Sequence, residues 1–184
     1  MRRFMVPMLV ASGALSTPLA AQSASLGFAA TAGGGYQVEA LDVGYMHDIH
    51  AMFFRSATLG LRVGSFIDEG AIVGGARGIV GALWFSTRTG LVHLADVGNE
   101  TNPQPFGWDV TFEASGYASS APPDSLSSPW AAISILPGVR LGDGPGAHYS
   151  FVAGPTVFLG HKTDVRAFIG LRFEIPLAKQ KPHP

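Results

Sequence analysis

The sequence predicts an all-β protein, an eight-stranded antiparallel up-and-down (meander) β-barrel that follows a cleaved signal peptide. Three observations carry this. From Thr163 to Leu177 the odd positions Val165, Ala167, Ile169, Leu171, Phe173, Ile175 and Leu177 are apolar, while the even positions include Asp164, Arg166, Arg172 and Glu174. Side chains alternate across a strand with period two, so this segment has one apolar and one charged face. Charged residues make up 14% of the 184, and lysine occurs only at 162, 179 and 181. Soluble domains carry roughly 25–35% charged residues on their surface. Beyond the N-terminus no uninterrupted apolar run reaches the ~20 residues of a spanning helix. High apolar content, 24 glycines and few charges then fit a closed barrel, because only helices and closed barrels satisfy every backbone polar group in lipid.

Along the chain, Arg2 and Arg3 form a positive n-region and Phe4 to Leu15 a short apolar h-region. Pro18-Leu19-Ala20-Ala21 supplies a break and small residues before an expected cut between Ala21 and Gln22. A retained membrane anchor is the alternative; Ser12, Gly13, Ser16 and Pro18 interrupt its apolar run. No cysteine stands near the cut to receive a lipid, and none occurs elsewhere to form a disulfide. Residues 22–177 are expected to form the barrel and 178–184 a disordered tail. Without Arg2 and Arg3 the chain has ten basic and thirteen acidic residues, about −3 net, which argues against nucleic-acid binding.

Eight strand candidates follow. The first is Tyr36–Met46, preceded by an extension over Leu26–Ala32; Leu41, Val43 and Tyr45 share a face opposite Asp42 and Gly44. In the second, Phe54–Phe66, Ala57, Leu59, Leu61 and Val63 oppose Thr58, Gly60, Arg62 and Gly64. The third, Ala71–Ser86, sets Ile72, Ala76, Val80, Ala82 and Trp84 against Arg77; its glycines at 70, 74, 75, 78 and 81 leave a small-residue helix as the alternative. The fourth, Gly90–Val97, alternates poorly. The fifth, Phe106–Ala118, the sixth, Trp130–Leu141, and the seventh, His148–Leu159, alternate well. Thr163–Leu177 is the eighth. Asp143-Gly144-Pro145-Gly146 and His161–Asp164 read as tight turns, and Gly98–Pro105 and Ser119–Pro129 as longer loops. With both termini on the inner side, Ser119–Pro129 falls outside and Asp143–Gly146 inside.

Alternation alone does not say which face is outside. A lipocalin-like soluble barrel turns its apolar face inward around a ligand, and a membrane barrel inverts this. The polar faces here hold glycine, serine, threonine and isolated charges, which suits a narrow lumen. The lumen set is Asp42, Arg62, Arg77, Asp109, Glu113, Arg140, Asp164, Arg166, Arg172 and Glu174. Five arginines and five carboxylates in so narrow a space must pair; they read as a structural ladder, with a gated pore as the alternative. Tyr45, Phe54, Phe66, Trp84, Phe85, Phe106, Trp108, Trp130 and Tyr149 stand near strand ends, as interfacial girdles do.

On the signal peptide, the alternating meander and the closing strand Val165-Arg166-Ala167-Phe168-Ile169-Gly170-Leu171-Arg172-Phe173, the chain resembles the small outer-membrane β-barrel superfamily of the OmpA/OmpX type over Leu26–Leu177. That resemblance implies the outer membrane of a Gram-negative-type envelope, a porin-like barrel, contact with outer-membrane lipid and barrel-insertion machinery, a monomer, and a non-enzymatic structural or interaction role without cofactor. Family members commonly finish on an aromatic residue in the last strand. Here eleven residues follow Phe173.

Three constellations were weighed for chemistry. Lipid A deacylases of this barrel size carry a His-x-Ser with a carboxylate, and His148-Tyr149-Ser150 with Glu174 or Asp164 resembles it; Phe151 stands where that family has asparagine. His148 and Ser150 also face the lumen by parity, away from a lipid substrate. His47, Asp48 and His50 fall one ligand short of a metal site and read as an outer loop. Asp96, Asn99, Glu100 and Asn102 match no calcium-loop spacing. The expectation is therefore no catalytic residue and no metal.

Overall fold

The computed structural model describes residues 22–33, 35–68, 76–101, 103–123, 126, 128–142 and 147–177. The signal peptide, the tail 178–184, the turn at Asp143–Gly146 and positions 71–75 of the third candidate lie outside these residues. Nine strands follow in order: β1 (Gln22–Gly33), β2 (Tyr36–Ala51), β3 (Phe54–Asp68), β4 (Ala76–Thr89), β5 (Val92–Val97), β6 (Gln104–Ser119), β7 (Trp130–Leu141), β8 (His148–Leu159) and β9 (Thr163–Pro176). Among the described residues there is no helix. Every neighbouring pair is antiparallel. β1 meets β9 and β4 meets β6, so eight strands close into a barrel and β5 hangs from β6 as a ninth.

The staves differ from the expected ones in two places. Leu26–Ala32 is no extension of the strand at Tyr36. It belongs to β1, which folds back on β2 through a turn at Gly35, whose φ of 88° suits a residue without Cβ. Its serines, alanines and glycines alternate too softly to declare a strand. Conversely, Gly90–Val97 is no stave. Arg88 faces Thr111 and Val92 faces Trp108, so four steps on one side match three on the other. β5 is thus the bulged continuation of β4, with a second irregularity between His93 and Ala95. Bulges break strict alternation, which explains the poor pattern there.

The third candidate is corrected in its faces. From Ala76 it is a strand, not a helix. Its even positions Val80, Ala82 and Trp84, expected on the lipid side, are buried inside; Ile79, Leu83 and Phe85 point out. An apolar lumen residue and an apolar lipid-facing residue look alike in sequence, and here only closure separates them.

The register measures the stagger of the barrel. Phe106 faces Leu141, then the row runs through Tyr149, Phe173, Leu26, Val43, Leu61 and Leu83 to Gly116. One circuit returns to β6 ten residues beyond its start. For eight strands this corresponds to a tilt of roughly 40°. Every residue on the spiral points outward, because cross-strand partners share a face.

Gln22 and Pro176 stand at one end, the termini end, with the Met52–Phe53 turn, the C-terminus of β7, the N-terminus of β8 and the connection from β5 to β6. The far end carries the other four connections, Ser119–Pro129 among them. His47 and Asp48, expected in an outer loop, lie in β2 at the termini end, with His47 opposite Gln22.

A charge-balanced lumen as the candidate functional site

Eight of the ten expected lumen residues are buried inside the barrel: Asp42, Arg62, Asp109, Glu113, Arg140, Arg166, Arg172 and Glu174. Asp164 sits at the far rim with its side chain 30% accessible. The side chain of Arg77 lies outside the described residues. The residue that the sequence reading missed is Arg88, which is also buried inside. The third candidate stopped at Ser86 and had its faces inverted; continuing the inward parity of Trp84 and Ser86 by one step reaches Arg88. Five arginines therefore still meet five carboxylates, with Arg88 in the set.

They assemble in three tiers. Nearest the termini, Arg88 of β4 grips Glu174 of β9 through both Nη atoms, at 2.6 and 3.1 Å. Arg140 Nε donates to Asp109 at 3.0 Å, and Arg88 Nε approaches the same carboxylate at 3.7 Å. Arg88 also donates to Met46 Sδ at 3.3 Å. His148 Nδ1 lies 3.6 Å from Glu174, too long for a hydrogen bond.

In the middle tier, Arg62 of β3 forks onto Asp42 of β2 at 2.6 and 2.8 Å and reaches across the lumen to Glu113 at 3.0 Å and Tyr117 Oη at 2.6 Å. Arg172 of β9 completes the group by donating to the other Glu113 oxygen at 2.5 Å. Trp84 lies beside both cations, with the Arg172 guanidinium 4.6 Å from its ring centroid. The indole fits because Gly44 and Gly60 face it. A Cβ on Gly60 would stand 2.3 Å from the ring.

At the far end, Arg166 binds Asp164 at 2.7 and 2.8 Å and donates to the carbonyls of Gly33 and Tyr36 at 2.9 and 2.6 Å. Its guanidinium stacks 3.5 Å from the Tyr36 ring. Between this latch and the middle tier lies an apolar plug. Tyr36, Phe66, Tyr117, Trp130 and Phe158 pack at 5.1–6.4 Å, with Tyr36 edge to face on Phe66, Tyr117 stacked on Trp130 and the other pairs tilted, joined by Val38, Val80 and Leu126. Phe66, Trp84 and Trp130, expected in an interfacial girdle, are therefore lumen residues. Of that expected set, Tyr45, Phe106, Trp108 and Tyr149 face outward near the termini end, and Phe85 faces outward on β4.

The pairing has a plain electrostatic cause. An isolated ion in so dry a space costs several kcal/mol, so each guanidinium is set against carboxylates and hydrogen-bonded to them. Ser25 Oγ, Asp109 Oδ1, Arg172 Nε and both His148 ring nitrogens have no hydrogen-bond partner among the described residues. The lumen cavity lined by Ser25, Arg88, Ser150, Arg172 and Glu174 measures about 10 Å³, which admits about one water molecule.

The His-x-Ser pair does share a lumen face of β8, as parity required. His148 stands opposite Glu174 and Ser150 opposite Arg172. Both Glu174 oxygens are engaged by Arg88, and Asp164 lies at the other end of β9. Asp96 contacts His93 at 3.0 Å, and Asn99 accepts from Thr101; Asn102 lies outside the described residues. Among the described residues no three histidine, cysteine or acidic side chains come together to hold a metal.

Comparisons with protein-family models, curated proteins and solved structures return no match for this chain.

Proposed function

We propose that the chain is an outer-membrane β-barrel of the OmpA/OmpX type, exported by its leader, with a non-enzymatic structural or interaction role and a lumen that does not conduct. One observation carries this: the barrel is inside out relative to a soluble protein. Leu41, Ile79 and Val165 are each about two-thirds exposed, at 67, 68 and 66%, while Arg62 and Asp42 are both 2% exposed. The outward residues of β9 run apolar from Val165 to Ile175, a height of roughly 25 Å at the barrel's tilt, close to the apolar band of a membrane barrel. The exterior meets outer-membrane lipid, and barrel-insertion machinery places it there. Both termini then lie on the periplasmic side, and Ser119–Pro129 faces outward.

The packed lumen, with its single-water cavity, supports neither a stored apolar ligand nor an ion path. The decisive experiment is fractionation of the mature chain. It is expected in outer-membrane vesicles, dependent on detergent, and faster in gel mobility before boiling than after. A monodisperse monomer in buffer without detergent would overturn the membrane reading. Ser150→Ala is expected to leave lipid A acylation unchanged; loss of a deacylation activity in that variant would restore the hydrolase reading.

A further inference from the structure

We propose that the open edge of β5 is a docking site for an extended, basic polypeptide strand of a partner on the termini side; placing that partner in the periplasm rests on the membrane reading. All eight staves have both edges paired along the ring. β4 is paired with β3 on one side as far as the rung Phe54–Thr89, and the amide of Gly90 then donates to Phe53 O at 3.3 Å. Beyond that point β5 continues β4 past the end of β3. Its β6 edge is laddered from Val92 to Val97, and among the described residues no strand pairs with the other edge. A peptide laid there would extend β3's row and keep the sheet continuous.

Part of the usual protection is missing here: among the described residues the edge has no lysine, no proline and no covering segment, and its guards are the bulge between His93 and Ala95 and the charge of Asp96. Natural edges are blunted by lysine, by proline or by being covered. β5 reads Val-His-Leu-Ala-Asp-Val and is exposed at all six positions. Main-chain bonds to such an edge supply affinity, and alternate side chains supply selectivity. Val92 and Ala95 share a face with Trp108 and Phe106, so every second residue of the partner strand is apolar. Between Leu91 and Gln104 the chain carries Asp96 and Glu100 and no lysine or arginine. The remaining partner positions are therefore basic.

A second copy does not fit. Two barrels in one membrane are related by an axis along its normal. Strands tilted by roughly 40° then cross at roughly 80° and cannot form a ladder. A free strand has no such constraint.

The test uses the full mature chain refolded in zwitterionic micelles and the synthetic peptide acetyl-Lys-Val-Lys-Val-Lys-Val-amide. Its comparators are a glutamate-for-lysine analogue and an analogue with proline at alternate positions. Backbone amide exchange from Leu91 to Val97 is followed by NMR. The basic peptide is expected to protect β5 amides and little else. The acidic analogue is expected to bind about tenfold more weakly, the equivalent of two exposed ion pairs, and the proline analogue to give no protection. The Asp96→Lys variant should lose the preference for the basic peptide, and Leu94→Pro should lose protection altogether, with heat-modifiable mobility retained in both. Absence of protection by every peptide, or equal binding of the proline analogue, overturns the proposal. Either result leaves the membrane reading untouched, because gel mobility and fractionation report that reading separately.

Discussion

The two halves of the lumen are filled by opposite means. Toward the termini, guanidinium and carboxylate groups interlock in two tiers around Arg62 and Arg88. Toward the far end, Tyr36, Phe66, Tyr117, Trp130 and Phe158 form a dry aromatic plug. Both halves exclude solvent from a space only as wide as side chains can fill. They differ in how they respond to loss. A charged network is all or nothing, since removing one partner strands another charge in a low dielectric. An aromatic plug loses packing in proportion to the volume removed.

The largest effect is therefore expected at the hub of the network. Arg62→Met leaves Asp42 without its forked partner and Glu113 with Arg172 alone. Unfolding in urea from lipid vesicles should reveal a loss of about 3–5 kcal/mol. Adding Asp42→Leu to Arg62→Met should recover much of it, since Glu113 keeps Arg172 and no buried charge of the tier then lacks a partner. No recovery would mean that the tier acts by packing, as the plug does.

Phe158→Ala, in the plug, is expected to cost about 3 kcal/mol through the cavity it leaves. Because the ion pairs around Arg62, Asp42 and Glu113 stay in place below that cavity, planar-bilayer conductance should stay at baseline. A new conducting state in this variant would make the plug, and not the ionic tiers, the seal.

Gly60→Ala probes the seat of Trp84 within the charged half. The added methyl meets Trp84 and the carbonyl of Val43, and overpacking of this kind costs about 1–3 kcal/mol. A neutral outcome would indicate that the indole can shift toward the charged tier. The smallest effect is expected at the rim. Arg166→Lys loses the fork onto Asp164 and the stack on Tyr36, yet a lysine keeps a positive charge beside Asp164, whose side chain is 30% accessible. A change of about 1 kcal/mol in the same urea assay checks it.

Much of this arrangement was legible from residue order. Parity within β2, β3, β6, β7 and β9 assigned Asp42, Arg62, Asp109, Glu113, Arg140, Arg166, Arg172 and Glu174 to one face, because a strand exposes its sides strictly by twos. The same rule misplaced Val80, Ala82 and Trp84. Lumen plug and outer wall are both apolar, so a strand crossing the plug gives no polar marker of its inner face. β1 escaped as a strand in its own right because its inward Ser23, Ser25, Ala29 and Thr31 are small. β5 passed for a stave because bulges preserve strand length while removing its place in the ring. Arg88 was missed with the same strand.

The sequence by itself determined that the chain is built of strands, which side chains share a face, and that inward charges balance in sign. These are local consequences of backbone alternation and composition. Tertiary structure alone decided that β1 closes on β9 and β4 on β6, that the circuit climbs ten residues, that Arg88 reaches Glu174, and that β5 is left with an open edge. Each depends on hydrogen bonds between segments far apart in the chain, whose register no single strand records.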